Sequence, residues 1–176
     1  MRYSSHSRNA LLNLTGFGIC VALLGAAFYF EKVQGLDPCP LCMAQRVAVA
    51  ITGFFFLLAF LHRPASVLWS RMYLLLLMLG GGLGVAVAGR HLWLQSLPAD
   101  QVPLCGPSLE YMLEYFPLKE ALLNLLHGSG SCAEVGWTFL GFSMPFWVMI
   151  WFFILMTIAW IGNYHLPRTR RDEFLE

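Results

Sequence analysis

Four long apolar stretches alternate with short polar ones along this chain. Residues 11–30 carry no charge, residues 41–61 are interrupted only by Gln45 and Arg46, residues 72–89 are again uncharged, and residues 144–162 form a fourth run. A helix needs about 20 apolar residues to cross a hydrocarbon layer about 30 Å thick, so each run is long enough to span a bilayer. The expected spans are about 11–30, 41–61, 72–90 and 144–162, joined by outer loops of about 31–40 and 91–143. The first run follows Arg2 and Arg8 but is too long for a signal peptide and lacks a small-residue cleavage site, so it is expected to be retained. Pro145 falls in the first turn of the fourth span, where its missing N–H costs little.

Within the long second loop, Leu118, Ala121, Leu122, Leu125 and Leu126 recur at helical spacing opposite Lys119, Glu120, Asn124 and His127, bounded by Pro117 and Gly128. This predicts a short amphipathic helix, lying either on the membrane surface or on the protein's own outer loops. Gly80, Gly81, Gly82 and Gly84 in the third run are expected to let a neighbouring helix approach closely.

Composition agrees with the pattern. Of 176 residues, 58% are hydrophobic and 12% charged, against about 25% charged in soluble domains. The fold class expected is an all-α, integral membrane four-helix bundle forming one transmembrane domain over residues 1–176. A net charge of +1 gives no field that would attract nucleic acid. Of the 11 basic residues, Arg2, Arg8, Arg63, Arg71, Arg168, Arg170 and Arg171 fall at the termini or in the inner loop, whereas the outer loops hold Lys32 and Lys119. The positive-inside rule then places both termini in the cytosol and both cysteine-bearing loops outside. Trp69 and Trp160 near the inner ends, with Trp93, Trp137 and Trp147 near the outer ones, match aromatic belts at the two interfaces.

Topology sorts the five cysteines. Cys20 lies mid-span and reads as a small apolar residue. Cys39, Cys42, Cys105 and Cys132 fall on the outer side, where disulfides persist. Four cysteines allow three pairings, and spacing favours Cys39 with Cys42, leaving Cys105 with Cys132. Structural staples, a zinc site and redox exchange are the competing readings. Only one CxxC is present, which argues against zinc, and no metal is expected. A disulfide between Cys39 and Cys42 closes so small a loop that it would be a poor staple. At a helix start it is a good redox centre, because the helix N-terminus stabilises a thiolate. Arg46 lies four residues after Cys42, on the same helix face, where a charge must snorkel or find a partner. Beside a CxxC it would favour the Cys42 thiolate and donate hydrogen bonds to an electron acceptor. Arg90 and His91, at the outer end of the third span, are either interfacial anchors or polar groups of the same site. No nucleotide loop or haem motif is present, which leaves a lipid-soluble two-electron carrier or a second protein as acceptor.

The segment Pro38-Cys39-Pro40-Leu41-Cys42 with Arg46, His91, Cys105, the run Gly130-Ser131-Cys132-Ala133-Glu134, and Trp137, Leu140-Gly141 and Met144-Pro145 together resemble the disulfide-bond formation protein B (DsbB) family of bacterial inner-membrane oxidases. The resemblance covers nearly the whole chain. It implies a quinone-dependent oxidase that recharges a periplasmic thioredoxin-fold (DsbA-like) dithiol oxidase, with ubiquinone or menaquinone as acceptor. It further implies a relay in which the partner's thiolate attacks Cys105, Cys132 attacks Cys39, and Cys42, beside Arg46, delivers electrons to a quinone contacted by His91. The loop around Cys105, with Pro98, Pro103, Gly106 and Pro107, would then have to move. Two other functions compete: a structural membrane protein with stapled outer loops, and a transmembrane thiol electron carrier. The carrier needs a cysteine pair reaching the inner side, where only Cys20 approaches.

Overall fold

A computed structural model describes residues 2–64, 66–98, 101, 117, 119, 130–133 and 135–164. Four helices dominate: α1 (Arg2–Lys32), α2 (Pro40–His62), α3 (Val67–Gln95) and α4 (Met144–Tyr164). Each contains a stretch long and apolar enough to cross a membrane. α1 packs on α2, α2 on α3, α3 on α4, and α4 closes back on α1, so the order around the bundle follows the chain. The expected four-helix membrane bundle is therefore what the chain forms.

The helices overrun the apolar runs read from the sequence. α1 continues through Glu31 and Lys32, so Glu31 is a helical residue and not part of a polar link. α3 starts at Val67, with the Ser66 hydroxyl accepting from the Trp69 N–H at 3.4 Å, and runs to Gln95. Arg71, Arg90 and His91 thus lie inside a helix, and the connection from α3 to α4 begins at Ser96, not at residue 91. Arginine is a good helix former, so a charge marks the edge of the hydrocarbon without ending the helix. What ends the elements is capping: Ser66 before α3, and Arg63 in the left-handed region after α2 with its N–H on the Ala59 carbonyl.

The core is built from Cys20, Val49, Phe56, Leu77, Phe152, Leu155 and Ala159, drawn from all four helices. Cys20 is a buried packing residue, as its mid-span position suggested. Small residues set the helix spacing. A Cβ at Gly84 would lie 2.2 Å from the Phe152 ring, and one at Gly80 would lie 2.9 Å from the Thr52 hydroxyl. Of the four glycines, Gly82 meets nothing. At one end of the bundle, the Asn163 side-chain nitrogen donates to Asn13 Oδ1 at 3.0 Å, and the Ser70 hydroxyl donates to the Asn163 carbonyl at 2.7 Å. These buried bonds tie α1, α3 and α4 together.

At the opposite end a small hairpin precedes α4. Strands β1 (Thr138–Phe139) and β2 (Phe142–Ser143) pair antiparallel through Thr138 with Ser143 and Phe139 with Phe142. Leu140 and Gly141 form the two-residue turn, both with positive φ, as a twist-matched hairpin turn requires. Trp137 packs against Phe30 of α1, and the Trp147 indole donates to the Phe139 carbonyl at 3.2 Å. Ser143 donates to the Gln95 side chain at 2.7 Å. The end of the connection from α3 to α4 is thereby fastened to α1, α3 and α4. Cys105, the arginine-rich tail and, apart from Lys119, the amphipathic helix expected over 118–127 lie outside the described residues.

Candidate active site around Cys39, Cys42 and His91

The prolines prepare the site. A residue before proline is driven into the extended region, and Cys39 sits there with φ −68° and ψ 163°. That conformation is also the one an N-cap needs, and Pro40 follows as the first helical residue, where no N–H is missed. Cys39 is accordingly the cap of α2: its sulfur accepts from the Cys42 N–H at 3.4 Å. The Cys42 sulfur, one turn on, lies 3.0 Å from that of Cys39. Both are free thiols. The Cys42 N–H at the N-terminus of α2 therefore points at the Cys39 sulfur.

His91 comes to this pair from α3. It is only 2% exposed, with Nε2 3.8 Å from the Cys39 sulfur and Nδ1 3.2 Å from the side-chain nitrogen of Gln45. When the Gln45 amide donates to Nδ1, the neutral ring carries its proton on Nε2, aimed at Cys39. His91 is thus in place to give a proton to the sulfur, or to hold a thiolate by a hydrogen bond.

Arg46 faces a different neighbour from the one its position along α2 suggested. Its guanidinium is ion-paired with Glu31 of α1, donates to the Ala27 carbonyl at 3.1 Å, and lies 5.4 Å from the centre of the Phe28 ring. Among the described residues it makes no hydrogen bond to Cys42. Arg46 has found a partner, as a charge inside a span must, and that partner holds it against α1 about one turn below the cysteines. Arg90 lies over the Trp93 ring at 4.2 Å.

Cys132 arrives from the connection between α3 and α4. A single 3-10 turn, Gly130–Cys132, buries its sulfur at 0% exposure with Leu41 and Leu94, and Cys39 packs against this group. Of the six residues singled out in the sequence, Cys39, Cys42, His91 and Cys132 converge, Arg46 sits nearby facing α1, and Cys105 lies outside the described residues. Two members were missed. Gln45 was noted only as an interruption of an apolar run, although a polar residue inside a span is itself a signal of function. Glu31 was read as linker.

Such a site can exchange disulfides. A capping sulfur, a second sulfur 3.0 Å away and a third buried alongside give thiolate attack and departure short paths. A scan of family models matches residues 9–162 to "Disulfide bond formation protein DsbB". A disulfide bond formation protein B of Marinobacter nauticus is 54% identical over 81% of this chain and 84% of its own. That of Hahella chejuensis is 51% identical over 85% and 92%, and that of Saccharophagus degradans is 45% identical over 90% and 93%. With a multi-pass helical bundle, a capped CxxC and relatives this similar end to end, the chain belongs to the DsbB family of disulfide bond formation proteins.

Proposed function

We propose that this protein is a quinone-dependent oxidase that restores the disulfide of a periplasmic thioredoxin-fold dithiol protein, working from the bacterial inner membrane with its reactive cysteines on the periplasmic side. The observation that carries the reading is the placement of the buried Cys132 sulfur against Cys39, the capping residue of the CxxC helix. The asymmetry of basic residues along the chain supports the orientation.

In the resting oxidised protein Cys39 is bonded to Cys42, and Cys105 to Cys132. The partner's thiolate attacks Cys105, the Cys105–Cys132 bond breaks, and Cys132 leaves as a thiolate. Cys132 then attacks Cys39, forming Cys39–Cys132 and releasing Cys42 as a thiolate. The partner's second thiolate resolves its bond to Cys105, so the partner leaves oxidised. The freed Cys105 thiolate then attacks Cys132, re-forming Cys105–Cys132 and releasing Cys39 beside Cys42 as a reduced pair that a quinone would reoxidise. Quinone supplies a two-electron, two-proton sink, and the balance is one partner dithiol and one quinone giving one partner disulfide and one hydroquinone.

The chain's own residues manage charge during these exchanges. The Cys42 N–H and the Nε2–H of His91 stabilise Cys39 when it departs as a thiolate. Arg46 and His91 remain the polar groups expected to contact the quinone, with Glu31 fixing the Arg46 guanidinium from α1.

The test is quinone reduction by the purified protein in detergent, followed by ultraviolet absorbance, with a reduced thioredoxin-fold dithiol oxidase as donor. Wild type should turn over and Cys42→Ser should not. Absence of turnover in the wild type, with both disulfides intact, would favour a stapled structural bundle.

A further inference from the structure

The Cys39, Cys42 and His91 side chains converge more tightly than disulfide exchange alone requires. One ligating atom from each lies within 4.8 Å of the other two. Two thiolates and an imidazole are a ligand set preferred by zinc and its thiophilic relatives. The sequence argued against such a site because a single CxxC offers two ligands; α3 supplies the third.

We propose that the reduced Cys39 and Cys42 thiols, with His91, form a binding site for a thiophilic divalent cation, and that closing the Cys39–Cys42 disulfide abolishes it. Zinc bound tetrahedrally at about 2.3 Å from sulfur and about 2.0 Å from nitrogen holds its ligand atoms about 3.5–3.8 Å apart. The Cys39 to His91 separation of 3.8 Å already matches, while the two sulfurs, at 3.0 Å, must part by less than an ångström. Cys42 lies in the first turn of α2, and its sulfur must also come within about 3.5–3.8 Å of His91 from a distance of no more than 4.8 Å.

Gln45 completes the support. A metal-ligating histidine typically donates its other N–H to an oxygen that fixes the ring. With its amide turned over, Gln45 presents that oxygen to Nδ1, 3.2 Å away, and Nε2 is left with its lone pair toward the sulfurs.

Binding releases two thiol protons and changes no oxidation state. Cation and disulfide therefore compete for the same sulfurs. In the relay proposed above, a bound cation holds the inner pair reduced until it leaves; this consequence rests on the relay, whereas the metal site does not.

The test uses the full-length protein in detergent, reduced and kept anaerobic, titrated with Co2+ alone. The expected result is one equivalent bound, with thiolate-to-cobalt absorption in the near ultraviolet and visible bands of tetrahedral intensity. Oxidised protein should show neither. Cys42→Ser, nearly isosteric, should remove part of the charge-transfer band. His91→Ala and His91→Gln should each weaken binding more than tenfold, and Gln45→Ala about 10–100-fold. Cys20→Ser should change nothing, and circular dichroism confirms that each variant keeps its helices. The proposal is overturned if the reduced protein gives no thiolate band, if the band survives Cys42→Ser at full intensity, or if both His91 variants bind cobalt as the wild type does. Failure of the relay would appear instead as absent donor-dependent quinone reduction with the cobalt bands intact.

Discussion

The side-chain nitrogen of Gln45 lies 3.2 Å from His91 Nδ1, and through that contact α2 decides which nitrogen of His91 faces Cys39. Both side chains are buried, so neither has water as a substitute partner. Leaving a buried polar group unsatisfied costs about 1–3 kcal/mol. Gln45→Leu is therefore expected to slow donor-dependent quinone reduction about tenfold or more while the helices stay intact. Gln45→Glu, which keeps a hydrogen-bonding group, should recover part of the rate. The decisive readout is the comparison of the two variants: Gln45→Glu should turn over faster than Gln45→Leu at equal helix content, and equal rates would show that Gln45 serves packing alone.

Glu31 and Arg46 are expected to behave as a unit. Each charge sits at the edge of a span with the other as its ion-pair partner, and an unpartnered charge there is costly. Glu31→Gln should lower the thermal midpoint in detergent and also impair turnover, since Arg46 is then free to turn away from α1. In a double-mutant cycle, Glu31→Gln combined with Arg46→Gln should be less damaging to stability than the sum of the single changes. Additive effects would mean that the pair contributes nothing beyond its two separate side chains.

Much of the architecture was legible because a bilayer makes strong demands on sequence. Apolar runs of fixed length announced four helices, and Pro38, Pro40 and the CxxC located the mouth of α2. The helix ends were less legible, since α3 runs past Arg71 and Arg90, where the uncharged run ends. Least legible were the pairs across helices. Glu31 and Arg46 are 15 residues apart, and Gln45 and His91 are 46 apart. Spacing along one helix says which residues share a face, and it does not say which neighbour that face meets. For that reason the position of Arg46 one turn after Cys42 did not reveal that its guanidinium also pairs with Glu31 of α1.

Gly84 gives a test of helix spacing. A methyl group there would lie 2.2–2.4 Å from ring atoms of Phe152, well inside contact distance. α3 and α4 must then separate, or the ring must leave its place in the core. Overpacking of this kind costs about 1–3 kcal/mol, so Gly84→Ala should lower the thermal midpoint measurably. Phe152→Leu in the same chain should restore part of the loss, because it removes the atoms that clash. Gly82→Ala, where a Cβ meets nothing, should be tolerated.

The Asn13 and Asn163 pair separates the net contribution of a hydrogen bond from the cost of breaking one. Each amide bonds the other across α1 and α4 in a buried setting, with donor to acceptor distances of 3.0 and 3.4 Å. Replacing one partner leaves the other buried without its bond, which costs about 1–3 kcal/mol. Replacing both with apolar groups of similar size removes the unsatisfied atoms as well as the bond. Asn163→Leu and Asn13→Leu should thus each lower the thermal midpoint, and the double variant should lie nearer to wild type than either. Neither change should alter quinone turnover at temperatures where the bundle is folded, because the pair stands at the opposite end from Cys39. If the double variant is instead as unstable as the sum of the singles, the asparagines act through shape, and Gly162, where a Cβ would come within 3.4 Å of Leu12, is the next position to vary.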